Sequence, residues 1–260
     1  MDDVIERAAL RVIENMHENL GEPITIDDMA RVAMFSKFHF SRVFQRVTGL
    51  SPGRFLSAVR LREAKRLLAS TAMSVTNISH QVGYSSVGTF SSRFTSSVGL
   101  SPSRYRVLGS VPAQLLAAGR GGAAAGATAT IVGEISSPLP DRPVFAGLFP
   151  ERILGGRPVS FTLLDRPGPY VLENVPPGRW HLIAQSAAEG HEDAFGIPGG
   201  IPGGEDEAQC IACLGPITVQ AGAEPQLADV RLRPMRPIDP PVLLALRDLL
   251  SPAGASRQAS

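Results

Sequence analysis

The sequence repeats itself at a spacing of fifty residues between Phe40 and Tyr105. Residues 40–55 read FSRVFQRVTGLSPGRF, and residues 90–105 read FSSRFTSSVGLSPSRY. Phe, Ser, Phe, Gly, Leu, Ser, Pro and Arg recur at matching positions, and Phe55 of the first copy corresponds to Tyr105 of the second. Such a repeat in a chain of 260 residues indicates one supersecondary unit that is used twice.

Hydrophobic residues around both copies recur at helical spacing. A helix is predicted over residues 3–19, and a capping box at Thr25–Asp28 opens a short second helix. Ser36 is the predicted N-cap of the next helix, and Gly49 ends it in the left-handed conformation. The predicted turn therefore lies at residues 33–35, as in a helix-turn-helix. A linking helix over 55–69 and further helices over 76–82 and 86–97, ended by Gly99, complete the pattern.

The residues at these positions are similar to the AraC/XylS-type DNA-binding domain. The likeness runs from Ile26 to Phe55 for the first half, from Arg60 to Leu68 for the linking helix, and from Ile78 to Arg106 for the second half. It implies an all-α double helix-turn-helix domain over residues 1–108. Three positions depart from the family pattern: Met34 replaces the usual turn glycine, Ser79 the usual alanine, and Ser92 precedes the arginine of the second recognition helix.

The charge of the chain is unevenly distributed, although its net value is only +1. Residues 23–108 contain 12 Lys and Arg against 3 Asp and Glu, a net charge of +9. Residues 109–260 contain 11 Arg against 15 Asp and Glu, a net charge of −4. A basic segment beside an acidic one indicates a nucleic-acid partner for the basic part.

The resemblance implies that two helices present side chains to base edges in the major groove. The base-contacting candidates are Phe38, Ser41 and Arg42 in the first helix and Val87, Gly88, Thr89, Ser92 and Arg93 in the second. Arg42 suits guanine, which offers two acceptors to a guanidinium. The aromatic ring at position 38 suits thymine methyl groups. The alternative places Phe38 in the core and leaves Arg42 as a solvated surface charge.

Basic side chains around these helices are candidates for contacts to phosphates. They are Lys37, Arg46, Arg54, Arg60, Arg62, Lys65, Arg66, Arg104 and Arg106. Four of them, at positions 60, 62, 65 and 66, are predicted to form a basic outer face on the linking helix. The alternative for each is an ordinary solvated helix face.

After residue 108 the composition changes. Residues 109–127 are rich in Gly and Ala and predict a flexible linker. Short alternating runs over 128–236, separated by Gly and Pro, predict an antiparallel β-sandwich. Within it, residues 168–182 are similar to the hairpin of carboxypeptidase-regulatory-like (transthyretin-like) sandwiches. The tail, 237–260, contains a predicted amphipathic helix at 242–250.

The C-terminal half offers few chemical motifs. Cys210 and Cys213 form a CxxC pair, which could serve redox chemistry or, with His181 and His191, bind zinc. In a strand, residues i and i+3 point to opposite faces, so two buried thiols are the favoured interpretation. The Gly-rich segment 196–204 lacks the Lys and Ser/Thr of a phosphate-binding loop. No cofactor, metal or catalytic residue is expected.

These patterns predict a sequence-specific DNA-binding transcription regulator that is not an enzyme. Double-stranded DNA is the expected partner, with RNA polymerase, a second copy of the chain, and a small-molecule or protein effector at the C-terminal domain as further candidates. No transmembrane run or signal sequence is found in a chain that starts Met-Asp-Asp, so a cytoplasmic location is expected. The alternatives are a DNA-tethered adaptor and a regulator that responds to redox state or metal through its cysteines.

Overall fold

The computed structural model of this protein describes residues 2–109, 128–186 and 209–246, with backbone only for residues 2 and 3. The predicted linker beyond residue 109, His191, the Gly-rich segment and the tail beyond residue 246 lie outside the described residues. The predicted helix at 242–250 is wrong for its described part, because residues 242–246 are not helical. The chain divides into two compact units, one built on Met1–Gly109 and the other containing the strands. We call them the helical unit and the β unit and describe each separately.

Seven helices make up the described part of the helical unit, in agreement with the predicted all-α double helix-turn-helix region. The helices are α1 (Asp2–Glu18), α2 (Ile26–Ala33), α3 (Lys37–Thr48), α4 (Pro52–Ser70), α5 (Val75–Gln81), α6 (Val87–Val98) and α7 (Pro102–Leu108). The first helix-turn-helix is α2–α3, the second is α5–α6, and α4 connects them.

The starts of these helices follow local capping chemistry. At α2 the predicted capping box is confirmed, since Asp28 N–H donates to Thr25 Oγ1 at 3.2 Å and Thr25 N–H donates to Asp28 Oδ2 at 3.0 Å. Ser36 precedes α3 in an extended conformation but makes no side-chain capping bond. Its counterpart Ser86 does, accepting from Thr89 N–H at 3.3 Å.

Two helices begin at a proline that follows a serine, and hydrophobic periodicity alone did not predict where they start. The linking helix begins at Pro52 rather than at the predicted residue 55, and α7 begins at Pro102, where no helix was predicted. Proline at the first helical position has its φ already near the helical value, and its missing N–H has no intrahelical partner to lose. Gly49 and Gly99 end α3 and α6 with φ of 81° and 89°, as predicted.

Equivalent residues of the two copies are fifty positions apart after the turn of the helix-turn-helix and forty-nine positions apart before it. Met34 and Gly83 both follow the first helix of their copy in the left-handed region, with φ of 60° and 81°. One residue separates Met34 from the N-cap Ser36, whereas two separate Gly83 from the N-cap Ser86. The second turn is therefore one residue longer, and Met34 occupies the backbone position of the turn glycine.

The repeated aromatic residues form the core of each copy. In the first, Phe44 lies between Phe40 and Phe55, with ring centroids 5.3 Å and 5.5 Å away. In the second, the rings at 90, 94 and 105 repeat this arrangement at 5.6 Å and 5.7 Å. All six are at most 2% exposed. The aromatic residues repeat in the sequence because they fill the same buried positions in each copy.

The β unit contains nine strands among the described residues. They are β1 (Ala129–Ser136), β2 (Val144–Phe149), β3 (Phe161–Leu164), β4 (Pro169–Val175), β5 (Gly178–Ser186), β6 (Cys210–Val219), β7 (Gln226–Leu227), β8 (Val230–Arg231) and β9 (Arg233–Pro234). One sheet has the order β4-β1-β7, with β8 also on β1, and the other has the order β3-β2-β5-β6-β9. Side chains from both sheets, among them Ile131, Leu172, Val144 and Leu182, share one buried cluster.

Most neighbouring strands are antiparallel, but β1 pairs in parallel with the short strands β7 and β8. The predicted hairpin at 168–182 is wrong, because β4 pairs with β1 while β5 pairs with β2 and β6 in the other sheet. Pro176 and Pro177 lie between the two strands and have no N–H to donate to a ladder. The chain crosses from one sheet to the other at this point, where Trp180 Nε1 donates to Pro176 O at 2.9 Å.

The two left-handed turn residues give a matched pair of stability predictions. Met34→Gly should stabilise the protein by roughly 0.5–1 kcal/mol, because it removes the steric cost of a left-handed residue with a Cβ at an exposed position. Gly83→Ala should destabilise it by about 2 kcal/mol, because a Cβ there would clash with the backbone carbonyl oxygen of Leu20 and the residue keeps a φ of 81°. Urea denaturation followed by circular dichroism measures the free energy of unfolding of both variants. Changes of the same sign would contradict the assignment of Met34 and Gly83 to equivalent left-handed turn positions.

Candidate nucleic-acid interface

The second helix of each helix-turn-helix buries one face and exposes the other. On α3, Phe40, Val43 and Phe44 are buried, and the chain places Phe38 and Arg42 on the exposed side. Phe38 is 86% exposed, so the alternative that put it in the core is wrong. An exposed aromatic ring of this size is available to a partner.

Three further side chains, those of Ser41, His39 and Met34, belong to the first turns of α3 or to the turn before it. Ser41 is half-buried and its Oγ donates to Lys37 O at 2.9 Å, which leaves the hydroxyl oxygen as an acceptor. His39 is exposed and packs edge-on against Phe35, with ring centroids 4.9 Å apart. Met34 is 83% exposed. Sequence reasoning missed His39 and Met34 as surface groups; the left-handed turn explains the exposure of Met34.

The corresponding surface of α6 is much less charged. Gly88, Thr89, Ser92 and Arg93 are exposed and Val87 is half-buried, so the structure brings these candidates together on one helix. Arg93 is the one charged residue of α6, whereas α3 carries three cationic residues. Several hydroxyls along α6 are used by the helix itself, as in the bond from Thr95 Oγ1 to the carbonyl of residue 91 at 2.7 Å.

Some phosphate candidates lie on the surface of the helical unit. Arg46, Arg54 and Arg104 are exposed, near the end of α3 and at the starts of α4 and α7. Lys37 is also exposed, and its Nζ contacts Asp27 Oδ2 at 3.1 Å. A pair this exposed contributes little to stability, so it can open when a stronger anion approaches.

The predicted basic outer face of α4 is wrong in part, because several of its cations point towards the protein. Lys65 is only 4% exposed and lies over the Tyr105 ring, 5.7 Å from its centroid. Arg60 Nη2 donates to Glu22 O at 2.7 Å. Arg66, by contrast, stays at the surface with its side chain 43% exposed, where it makes two bonds to Glu63 of the same helix, at 2.6 Å and 2.8 Å. Arg60 and Arg62 are two positions apart and therefore lie on different sides of the helix, so residues 60, 62, 65 and 66 cannot form a single face.

Two further arginines serve contacts inside the helical unit. Arg106 Nη2 donates to Met73 O. Arg62 Nη2 donates to His17 Nε2 at 2.9 Å, which joins α4 to α1. Burial lowers the pKa of Arg62 to about 10. Burial, reinforced by the Arg62 charge, lowers the pKa of His17 to about 4, so the imidazole is neutral at pH 7 and accepts this bond.

The CxxC pair of the β unit is divided between two environments. Cys210 is buried, and burial raises the pKa of its thiol. Cys213 is exposed, so the interpretation of two buried thiols is wrong for this residue. The described residues contain no group of three or more His, Cys, Asp or Glu side chains arranged to hold a metal ion. Nor do they contain a helix long and apolar enough to span a membrane.

Comparisons with known proteins match the helical unit. Residues 29–107 fit the family model described as a helix-turn-helix domain. Over 81 residues the chain is 44% identical to an uncharacterized HTH-type transcriptional regulator of Haemophilus influenzae, which covers 31% of this chain and 27% of that protein. Over 104 residues it is 30% identical to the lactose operon transcription activator of Staphylococcus xylosus, which covers 40% of this chain and 37% of that protein.

The chain thus aligns with about a quarter to two fifths of the length of these relatives. A solved structure, a probable AraC family transcriptional regulator of Rhodopseudomonas palustris, is 31% identical and covers 39% of this chain and 95% of that one, with a TM-score of 0.36. The family match and the two relatives confirm the prediction of a DNA-binding helix-turn-helix region of the kind found in bacterial transcriptional regulators.

The His17–Arg62 contact predicts a pH dependence of stability. The folded-state pKa of His17 is below its ordinary value of 6.5, so the unfolded chain binds the proton more tightly. The neutral imidazole of His17 should therefore contribute on the order of 1 kcal/mol to the free energy of unfolding at this half-buried site. This stabilisation should be complete above about pH 6.5 and be lost as the pH falls towards 4. His17→Asn should flatten the free energy of unfolding across that range in urea titrations. Parallel curves for the two proteins would contradict the assignment.

Proposed function

We propose that this protein is a transcription regulator of the AraC/XylS type whose helical unit binds double-stranded DNA through α3 and α6. The observation that carries the proposal is the exposed start of α3, where Phe38 and Arg42 project from a helix whose other face is buried. An α-helix fits the major groove, in which each base pair shows a distinct set of donors, acceptors and methyl groups. The two helices enter successive major-groove segments about one helical turn apart.

Within this interface the first helix selects the sequence. Arg42 donates to the two acceptors of a guanine, a pairing that discriminates by about 1–3 kcal/mol. Phe38 contacts thymine methyl groups, and Ser41 offers an acceptor. His39, exposed beside them, adds a donor or acceptor on the same helix.

The second helix contributes less to sequence choice. Its exposed residues Gly88, Thr89 and Ser92 are short, and Arg93 is its single cation. Short side chains allow the helix backbone to approach the groove closely, and contacts to phosphates position a protein without reading bases. The second copy therefore holds the DNA more than it selects it.

The electrostatic part of binding rests on the exposed cations at positions 37, 46, 54 and 104. If these four neutralise phosphates, the logarithm of the binding constant falls with the logarithm of salt concentration with a slope of about −3 to −4. The arginines whose bonds join separate parts of the helical unit, at positions 60, 62 and 106, act first in holding the fold.

For the β unit we propose a carboxypeptidase-regulatory-like sandwich that senses an effector or binds a protein, over residues 128–236. Two sheets that share one core support this architecture. Residues 109–127 then serve as a linker and 237–260 as a tail. RNA polymerase and a second copy are proposed partners, in the cytoplasm. A redox or metal response is the second candidate, favoured only by the exposed thiol of Cys213.

The base-reading role of Arg42 can be separated from a phosphate role. Arg42→Ala should weaken binding to a sequence selected from a random DNA pool by about 10- to 100-fold and binding to random DNA far less. Arg104→Ala is the control: it should weaken binding to both DNAs similarly and reduce the salt slope by about one. Fluorescence anisotropy measures these affinities. An equal loss on both DNAs for Arg42→Ala would reduce it to a phosphate contact.

The division of labour between the two units predicts the behaviour of a shortened chain. A protein ending after Gly109 should keep its preference for the selected DNA over random DNA, because the proposed base contacts all lie on α3 and α6. Loss of the preference in a fragment that still shows the helical circular dichroism spectrum would make the β unit part of the DNA reader.

A further inference from the structure

A single guanidinium lies where three parts of the helical unit meet. Arg60 projects from α4, the helix that connects the two helix-turn-helix units. Its Nη2 donates to the carbonyl of Glu22, in the loop between α1 and α2, at 2.7 Å. This contact joins the linking helix to the loop that leads into the first helix-turn-helix.

The same guanidinium lies against the turn of the second helix-turn-helix. A Cβ added to Gly83 would lie 2.6 Å from Arg60 Nη2 and 2.7 Å from Cζ, and it would also meet the carbonyl of Leu20. Glycine is therefore required at this position for space as well as for its φ of 81°. The turn between α5 and α6 therefore packs against both Arg60 and the α1–α2 loop.

Two neighbouring contacts extend this junction. A Cβ on Gly21 would lie 3.1 Å from the carbonyl of Gln81, so the α1–α2 loop runs directly along the end of α5. On the other side, Ser57 Oγ and Tyr84 Oη are 3.2 Å apart and join α4 to the same turn. We call Arg60, its partner Glu22 and the turn residues Gly83 and Tyr84 the inter-repeat junction.

The surroundings of Arg60 are less favourable for its charge than an exposed position would be. Burial lowers its pKa from the ordinary value, with Tyr84 acting in the opposite direction. Its Nε is buried without a hydrogen-bond partner among the described residues. A flat guanidinium can fill the space between a carbonyl and a glycine turn, whereas the ammonium of a lysine offers a point charge without that shape.

We propose that Arg60 is a positioning residue that fixes α6 relative to α3 and thereby sets the spacing between the two DNA segments that the protein accepts. The proposal rests on the proposed DNA-binding function. One base pair corresponds to about 3.4 Å along the duplex and about a tenth of a turn around it, so a rigid pair of helices fits one spacing. A junction that yields would let α6 follow a displaced groove.

The test measures spacing selectivity in the full-length chain. The wild-type protein selects its preferred sequence from a random DNA pool, and one or two base pairs are then inserted between the two protected segments. Wild type should lose about 100-fold in affinity on insertion, because both helices can no longer engage together. Arg60→Ala should lose less than about tenfold on the same insertion, and Arg60→Lys should lie between the two.

Controls separate this role from simpler ones. Val12→Ala removes buried side-chain atoms from α1, which contributes no residue to the junction as defined, and should keep the wild-type loss on insertion. Tyr84→Phe removes one hydroxyl contact of the junction and should show a partial loss of selectivity even if Arg60→Ala does not fold. If Arg60→Ala weakens binding by the same factor at every spacing, Arg60 is a phosphate contact and the positioning role is wrong.

A measurement without DNA distinguishes this proposal from the proposed function. Spin labels at Gln45→Cys and Thr95→Cys, in a Cys210→Ala/Cys213→Ala background, report the distance between α3 and α6. Arg60→Ala should broaden the distance distribution, and an unchanged width would overturn the positioning role. If no sequence is selected from the pool while the distribution still broadens, the DNA-binding function fails and the junction stands.

Discussion

The helical unit depends on the burial of one pair of aromatic rings in each copy, Phe40 with Phe44 and Phe90 with Phe94. Each ring removes some 150–250 Å² from water, which corresponds to several kcal/mol per copy. A helix that turns these rings inward has no freedom to rotate about its axis, because a rotation would expose them. The residues on the opposite face, Phe38 among them, are exposed for the same reason.

Sequence reasoning worked where the determinants are local and less well where they are distant. The capping box of α2 and the glycine ends of α3 and α6 depend on residues a few positions apart, and they were predicted. The bond from Arg60 to the carbonyl of Glu22 joins residues 38 positions apart through a backbone group, which no side-chain pattern records. The basic face predicted on α4 failed partly because Arg60 and Arg62, two positions apart, lie on different sides of the helix, and partly because no side-chain pattern shows which backbone group lies opposite.

The two copies show how a duplicated scaffold divides its tasks. The buried aromatic positions are shared by the two copies, while α3 carries three cationic residues and α6 carries one. The turns differ as well, by one residue and by the exchange of glycine for Met34. Core positions are constrained by close packing, whereas outward positions are free to change with the partner. The asymmetry proposed for DNA reading is therefore confined to residues that the fold does not need.

The crossing from β4 to β5 at Pro176 and Pro177 affects the order in which this chain acquires structure. Strands that follow each other directly lie in different sheets, so neither sheet can grow from a local hairpin at this point. β5 pairs only with strands that are distant in sequence, namely β2, about thirty residues earlier, and β6, about thirty residues later. Such non-local pairings form slowly, whereas helices joined by short turns form fast and emerge first from the ribosome. A nascent chain would thus complete its helical unit while the β unit is still unfolded.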